Sequence, residues 1–204
     1  MSIPLNRTDK KLSLYKALDI GYLRNEDKQS RKLKKFGYVL DKDLTTNERL
    51  VAYNPTINKT IFISNGSEIN PFRSPTQFGK DWWNNIGRIG TGTFKSSDRY
   101  TQEKKAYEDA IKKYNAPVVL AGHSQSGNTI SGIAKSNHQA YTLNPALINQ
   151  KPRENVHNFR IKGDLVSVAS NDVTNLENPS NSFFDIPIVQ PHNIDNIKHV
   201  PIFL

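Results

Sequence analysis

This sequence predicts an α/β fold with a mixed, mostly parallel sheet covered by helices on both faces, and three observations carry that prediction. Short apolar runs rich in β-branched and aromatic residues alternate with stretches of helical spacing, the pattern that strands interleaved with helices produce. One run, Ala116 to Ala121, ends directly on Gly122-His123-Ser124-Gln125-Ser126-Gly127 and is followed by a helix-like stretch, so strand, tight turn and helix fall in that order. A chain of 204 residues suffices for one core that buries roughly 70% of the unfolded surface and is short for two. A single domain over residues 1–204 with an N-terminal helical segment follows.

The elements follow in chain order. Leu12, Leu14, Tyr15, Leu18, Ile20 and Leu23 recur at a mostly helical spacing, which predicts a helix over 12–23 whose end is weakened by Gly21. Residues 36–40, 50–53 and 60–64 read as strands around the turn at Asn54-Pro55. Residues 65–97 are rich in Gly, Asn and Ser and read as loop and short helix, a length that in compact domains usually serves function. Tyr100, Tyr107, Ala110, Ile111 and Tyr114 share one face of a helix over 99–114, with Asp98 as N-cap and Asn115-Ala116-Pro117 as its stop. After the strand at 116–121, Ile130, Ile133 and Ala134 predict a helix over 128–136 lying close on a sheet, and strands follow at 140–143, 158–161 and 186–189. No internal repeat, heptad or low-complexity tract is present.

Composition narrows the function classes. The hydrophobic fraction is 36%, mean hydropathy is negative, and no stretch approaches the length of a membrane span. Met1 to Lys11 is polar and charged and lacks the apolar core of a secretory signal, so a soluble protein, cytoplasmic or virion-associated, is expected. The chain has no cysteine, which excludes disulfide stapling. Net charge is +9, with basic clusters at Arg31, Lys32, Lys34 and Lys35 and at Lys104, Lys105, Lys112 and Lys113. These read as solvated helix faces that favour approach to anionic partners, including peripheral contact with an anionic membrane surface. No helix-turn-helix, zinc or RNA-binding signature accompanies the charge, so specific nucleic-acid binding is not expected.

The chemistry is concentrated at the G-x-S-x-G turn. A serine at the sharp turn between a buried strand and a helix is pushed out of the sheet with a strained backbone, and Gly122 and Gly127 remove the clash that bulkier residues would cause. The following helix places its positive end beside the serine, where an anionic intermediate needs stabilising. A serine hydroxyl is a poor nucleophile at neutral pH, so Ser124 needs a base, and the base needs a carboxylate that holds its tautomer. On a fold of this kind the order is serine, acid, histidine, which restricts both partners to residues after 124. Asp164 stands where a strand ends on Gly163, at the sheet edge where sites assemble; Asp172, Asp185 and Asp195 are its rivals. Of the five histidines, His123 adjoins the serine on the incoming strand and should point away from it, while His138 and His157 fall in poor positions. His192, in a loop after the last apolar run, is the favoured base, and His199 is the runner-up. No metal or cofactor is called for.

These segments also resemble those of the fungal-type, class 3 lipases. Ile61-Phe62-Ile63-Ser64-Asn65-Gly66-Ser67 is similar to that family's strand and Arg-Gly-Ser/Thr turn, and Lys80-Asp81-Trp82-Trp83-Asn84-Asn85-Ile86 to its Asp-Trp-x-x-Asn segment. Gly-His-Ser, Leu143-Asn144-Pro145, Gly163-Asp164-Leu165-Val166-Ser167 and Pro191-His192-Asn193-Ile194 resemble its later landmarks, so the likeness covers about residues 50–197. The resemblance implies an α/β-hydrolase fold, a triad of Ser124, Asp164 and His192, and cleavage of lipid or other carboxylic esters. It further implies an oxyanion hole formed by Ser67 and the backbone N–H of Gln125, with Asp81 and Trp82 bracing the oxyanion loop. Two departures stand out: Gln125-Ser126 where the family has Leu-Gly, and Asn65 where it has Arg. A reduced preference for long apolar acyl chains is expected from the first. Residues 68–79 lie where a lid would sit and lack an amphipathic helix, so interfacial activation is not expected. The alternative to a serine ester hydrolase is a non-catalytic member of the same fold serving as a structural or binding component of a larger assembly such as a virus particle.

Overall fold

The structure is a computed structural model that describes residues 11–66, 98–146, 151–164, 167, 170–177 and 193–204. Among these residues seven strands lie side by side in chain order: β1 (Val39–Leu40), β2 (Arg49–Asn54), β3 (Lys59–Ser64), β4 (Val118–His123), β5 (Ala140–Leu143), β6 (Val156–Ile161) and β7 (Thr174–Leu176). β1, β2 and β3 are antiparallel neighbours, and every pairing from β3 to β7 is parallel. The sheet is therefore mixed and mostly parallel, as the alternation of strand and helix patterns predicts. Asn54 sets the β2–β3 turn by accepting hydrogen bonds from the N–H groups of Thr56 (3.0 Å) and Ile57 (3.4 Å) through its side-chain oxygen.

Two layers of apolar side chains flank the sheet, and the period-2 geometry of the strands sorts them. Ile61 and Ile63 of β3 with Ala121 of β4 face α1 (Leu14–Gly21), which contributes Leu14, Ala17, Leu18 and Ile20. Phe62 of β3 with Val118 and Leu120 of β4 face the other way, against α3 (Asp98–Tyr114) and α4 (Gln125–Ile133). Ser13 caps α1 by accepting from the N–H of Lys16 at 3.3 Å. The basic run at 31–35 belongs largely to α2 (Glu26–Lys34), capped by Asn25, with Glu26 and Asp27 in its first turn and Arg31, Lys32 and Lys34 in its last. That charge order complements the helix dipole, and only Gln29 and Leu33 are buried.

Several boundaries differ from the sequence-based expectation for physical reasons. The first helix stops at Gly21, two residues short of Leu23. Asp98 is the first residue of α3 and not its N-cap. α4 opens at Gln125, three residues before the predicted start, because the polar Gln-Ser-Gly opening carries no apolar periodicity. β7 escapes the pattern altogether: Thr174 and Asn175 are exposed at a sheet edge, where no apolar run is required. The strand expected at 186–189 and most of the loop expected at 65–97 lie outside the described residues.

The C-terminal segment docks on α1. A 3-10 helix (Ile194–Ile197) buries Ile197 there, and Tyr15 donates to Asp195 Oδ1 at 3.1 Å. Leu14 N–H donates to the Ile202 carbonyl (2.8 Å) and Leu204 N–H to that of Leu12 (3.0 Å), which ties the two ends of the described chain together.

Candidate active site

β4 runs into Ser124 and leaves it as α4, and this junction is a point of backbone strain. Ser124 has φ 59° and ψ −130°, a region that costs a non-glycine residue about 1–3 kcal/mol. Three backbone hydrogen bonds hold it there. Its N–H donates to the Leu143 carbonyl at 3.0 Å, and its carbonyl accepts from Gly127 at 2.9 Å and Ala146 at 3.2 Å. The two glycines allow close approach: a Cβ at 122 would stand 2.8 Å from the Ser126 carbonyl oxygen, and one at 127 would stand 2.7 Å from Pro145 Cβ. Gln125 occupies the first turn of α4, where backbone N–H groups have no intrahelical acceptor.

The turn after β3 abuts this junction because Ser64 pairs with Gly122 in parallel register. A Cβ on Gly66 would lie 2.8 Å from the His123 carbonyl oxygen and 3.2 Å from Ser124 Cβ. The peptide plane joining Asn65 to Gly66 is held at both polar atoms. Gly66 N–H donates to the Tyr22 hydroxyl at 3.0 Å, and that hydroxyl is hydrogen-bonded in turn to His123 Nδ1 at 2.8 Å. The Asn65 carbonyl accepts from both the Arg99 guanidinium and the Ser126 hydroxyl, while Arg99 Nη2 also donates to Ser126 Oγ at 2.8 Å. Asn65, buried where the resembled family has arginine, donates through its side chain to the Gly21 carbonyl (2.7 Å) and pins the end of α1. Ser126 is fully buried and its hydroxyl is directed at the turn.

Asp164 lies past the end of β6, at the same edge of the sheet as Ser124, and follows Gly163 in the left-handed region at φ 92°. With strands about 4.8 Å apart, the ends of β4 and β6 are separated by about 10 Å, a gap that a serine, an imidazole and a carboxylate span together. The Asp164 carboxylate is buried and accepts from the Ser167 N–H at 3.0 Å and from the Ser167 hydroxyl. His192 and Ser67, and likewise Asp81, Trp82 and Asp185, lie outside the described residues. The segment that begins one residue after His192 packs on α1 through the 3-10 helix. His199 is exposed in the turn that follows that helix. His123 is engaged with Tyr22, and His138 is buried against Tyr107, so neither is directed at Ser124. Asp172 and Asp195 are not buried.

Beneath the turn lies a buried charge cluster that sequence patterning does not single out. Glu103 of α3 is buried, and neither carboxylate oxygen has a hydrogen-bond partner. Arg49 Nη1 stands 3.9 Å from Oε1, too far to offset the loss of hydration, so burial raises the Glu103 pKa to about 7 against the attraction of Arg49 and Arg99. Its i to i+4 spacing from Arg99 was the available signal. Among the described residues no group of three or more His, Asp or Glu is placed to hold a metal ion.

A mixed sheet whose strand β4 delivers a strained serine to the start of a helix defines an α/β-hydrolase-like fold. No protein-family model and no curated protein sequence matches the chain. Among solved structures it is similar to the Lip2 lipase of Yarrowia lipolytica, at 12% identity and TM-score 0.49, covering 76% of this chain and 70% of that one. It is also similar to the Rhizomucor miehei lipase in its propeptide complex, at 14% identity and TM-score 0.42 over 76% and 60% of the two chains. The lipase of Rhizopus microsporus var. chinensis matches at 14% identity and TM-score 0.37 over 82% and 76%. Likeness at this level says nothing about residue roles, which rest on this chain's own geometry.

Proposed function

We propose that the chain is a serine ester hydrolase that cleaves carboxylic esters, lipids among them, through an acyl-enzyme on Ser124. The observation that carries this reading is the strained, triply anchored backbone of Ser124 between β4 and α4, with buried Asp164 at the same sheet edge. In this reading His192 takes the proton of the Ser124 hydroxyl as its oxygen attacks the ester carbonyl carbon. The tetrahedral oxyanion is stabilised by the Gln125 N–H and by Ser67. Collapse of the intermediate breaks the ester C–O bond, and the protonated imidazole gives its proton to the leaving alkoxide. Water then repeats the sequence on the acyl-enzyme and releases the acid. Asp164 orients the imidazole, and Ser167 fixes the carboxylate.

Commitment of the Gly66 N–H to Tyr22 supports placing the oxyanion donor one residue later, at Ser67. Among the described residues no helix is long and apolar enough to cross a membrane. The +9 charge supports peripheral contact with an anionic lipid surface. The test is covalent labelling by a fluorophosphonate probe together with hydrolysis of p-nitrophenyl esters of increasing chain length. Labelling is expected in the wild type and absent in Ser124→Ala, with turnover reduced on the order of a million-fold and short esters preferred over long ones. A wild-type protein that neither labels nor hydrolyses any ester leaves the structural or binding component as the surviving alternative.

A further inference from the structure

We propose that Arg99 is a positioning residue for the turn after β3: with the Ser126 hydroxyl it clamps the Asn65 carbonyl and thereby fixes the Asn65–Gly66 amide against Ser124. The proposal rests on the reading of the chain as a serine ester hydrolase. It starts from one peptide plane. The carbonyl of Asn65 and the N–H of Gly66 belong to the same amide, and each is held from a different layer of the protein. Tyr22, at the end of α1, receives the N–H from one side of the sheet. Arg99 of α3 and Ser126 of α4 reach the carbonyl from the other side. An amide fixed at both polar atoms cannot rotate, so the Gly66 backbone keeps its close approach to the His123 carbonyl and Ser124 Cβ.

Two further observations make the clamp specific. Asn65 and Ser126, two of the three positions at which this chain departs from the lipase-like pattern, are hydrogen-bonded to each other and to Arg99. Ser126 is also two residues past Ser124, so the same hydroxyl couples the turn to the helix that carries the serine. Beneath them, Glu103 lies one turn further along α3 with no hydrogen bond of its own, placing a carboxyl near the guanidinium without competing for its Nη2 donor. A guanidinium offers several donors in a fixed plane, which an ammonium cannot reproduce.

The test compares wild type with Arg99→Met, Arg99→Lys, Ser126→Ala and the Arg99→Met/Ser126→Ala double variant on p-nitrophenyl butyrate. Rates are normalised to active sites titrated with a fluorophosphonate, so loss of folded protein does not count. Arg99→Met is expected to lower kcat about 10- to 100-fold with KM within about twofold, because a displaced turn shifts the Ser124 hydroxyl from its reacting position and leaves substrate binding alone. Arg99→Lys recovers part of that loss. The double variant loses less than the product of the two single losses, because both act on one carbonyl. Arg99→Met with wild-type kcat per titrated site, or independent multiplying losses, overturns the positioning role while the hydrolase reading stands. A wild type that neither labels nor hydrolyses removes the hydrolase reading and this proposal with it.

Discussion

Glu103 shows how burial alone can set a residue's chemistry. The folded side chain keeps its proton up to about pH 7, whereas an ordinary glutamate, as in the unfolded chain, loses it near 4.5. Between those values the folded chain binds the proton more tightly, so the stability contributed at this position is present below pH 4.5 and declines until about pH 7, by roughly 3 kcal/mol. Glu103→Gln, which never ionises, is expected to remove that slope. Urea unfolding should show the stability of the variant rising by about 2–3 kcal/mol relative to wild type between pH 5 and pH 8, and a difference between the two proteins that stays the same at both pH values would refute it. Ser126 illustrates a different point at the same scale. A serine two residues past Ser124 reads in sequence as a more polar acyl pocket, yet its hydroxyl is buried and bonded to Asn65. Only the neighbour 61 residues away explains it.

Among the elements, α4 is the one whose placement decides the site, and its distance from β5 is set by Gly127. Replacing Gly127 with alanine gains about 1 kcal/mol of helix propensity. It also drives a Cβ to 2.7 Å from Pro145 Cβ and 3.0 Å from Pro145 Cα, atoms that a proline ring and backbone cannot move aside. The steric cost wins, so Gly127→Ala is expected to lose about 1–2 kcal/mol in chemical denaturation and to lower hydrolysis by shifting Ser124; a stabilised, fully active variant would contradict the packing. Elements buried on one or both faces were legible in sequence because burial imposes a period, as in β3, β4 and α3. β7 and the early start of α4 were not, because exposed or polar residues carry no such period, and α2 was visible only through the charged face at Arg31 to Lys35. The candidate site residues divide the same way: Ser124 and Asp164 stand at punctuated strand ends, whereas Tyr22, the C-cap of α1, and Arg99, in the first turn of α3, carry no such signal.

At the scale of the whole molecule the C-terminal segment closes the structure against α1, and the favoured base lies immediately before it. Deleting residues 201–204 removes two backbone hydrogen bonds to Leu12 and Leu14 and the partly buried Ile202 and Leu204. A loss of about 1–3 kcal/mol is expected, visible as a melting temperature lower by roughly 4–8 °C, together with weaker ester hydrolysis as the His192 segment loses its anchor. A truncated protein with unaltered melting temperature and turnover would show that the segment anchors nothing. The order of residues by itself determined the layered α/β plan and the strand, turn and helix around Ser124, because hydrophobic period and glycine placement are local properties. The tertiary structure alone decided which distant groups meet at that turn: the Tyr22 hydroxyl from one layer, the Arg99 guanidinium from the other, and a carboxyl buried beneath them. Contacts between residues far apart in the chain depend on how layers stack, and stacking leaves no periodic trace in any one segment.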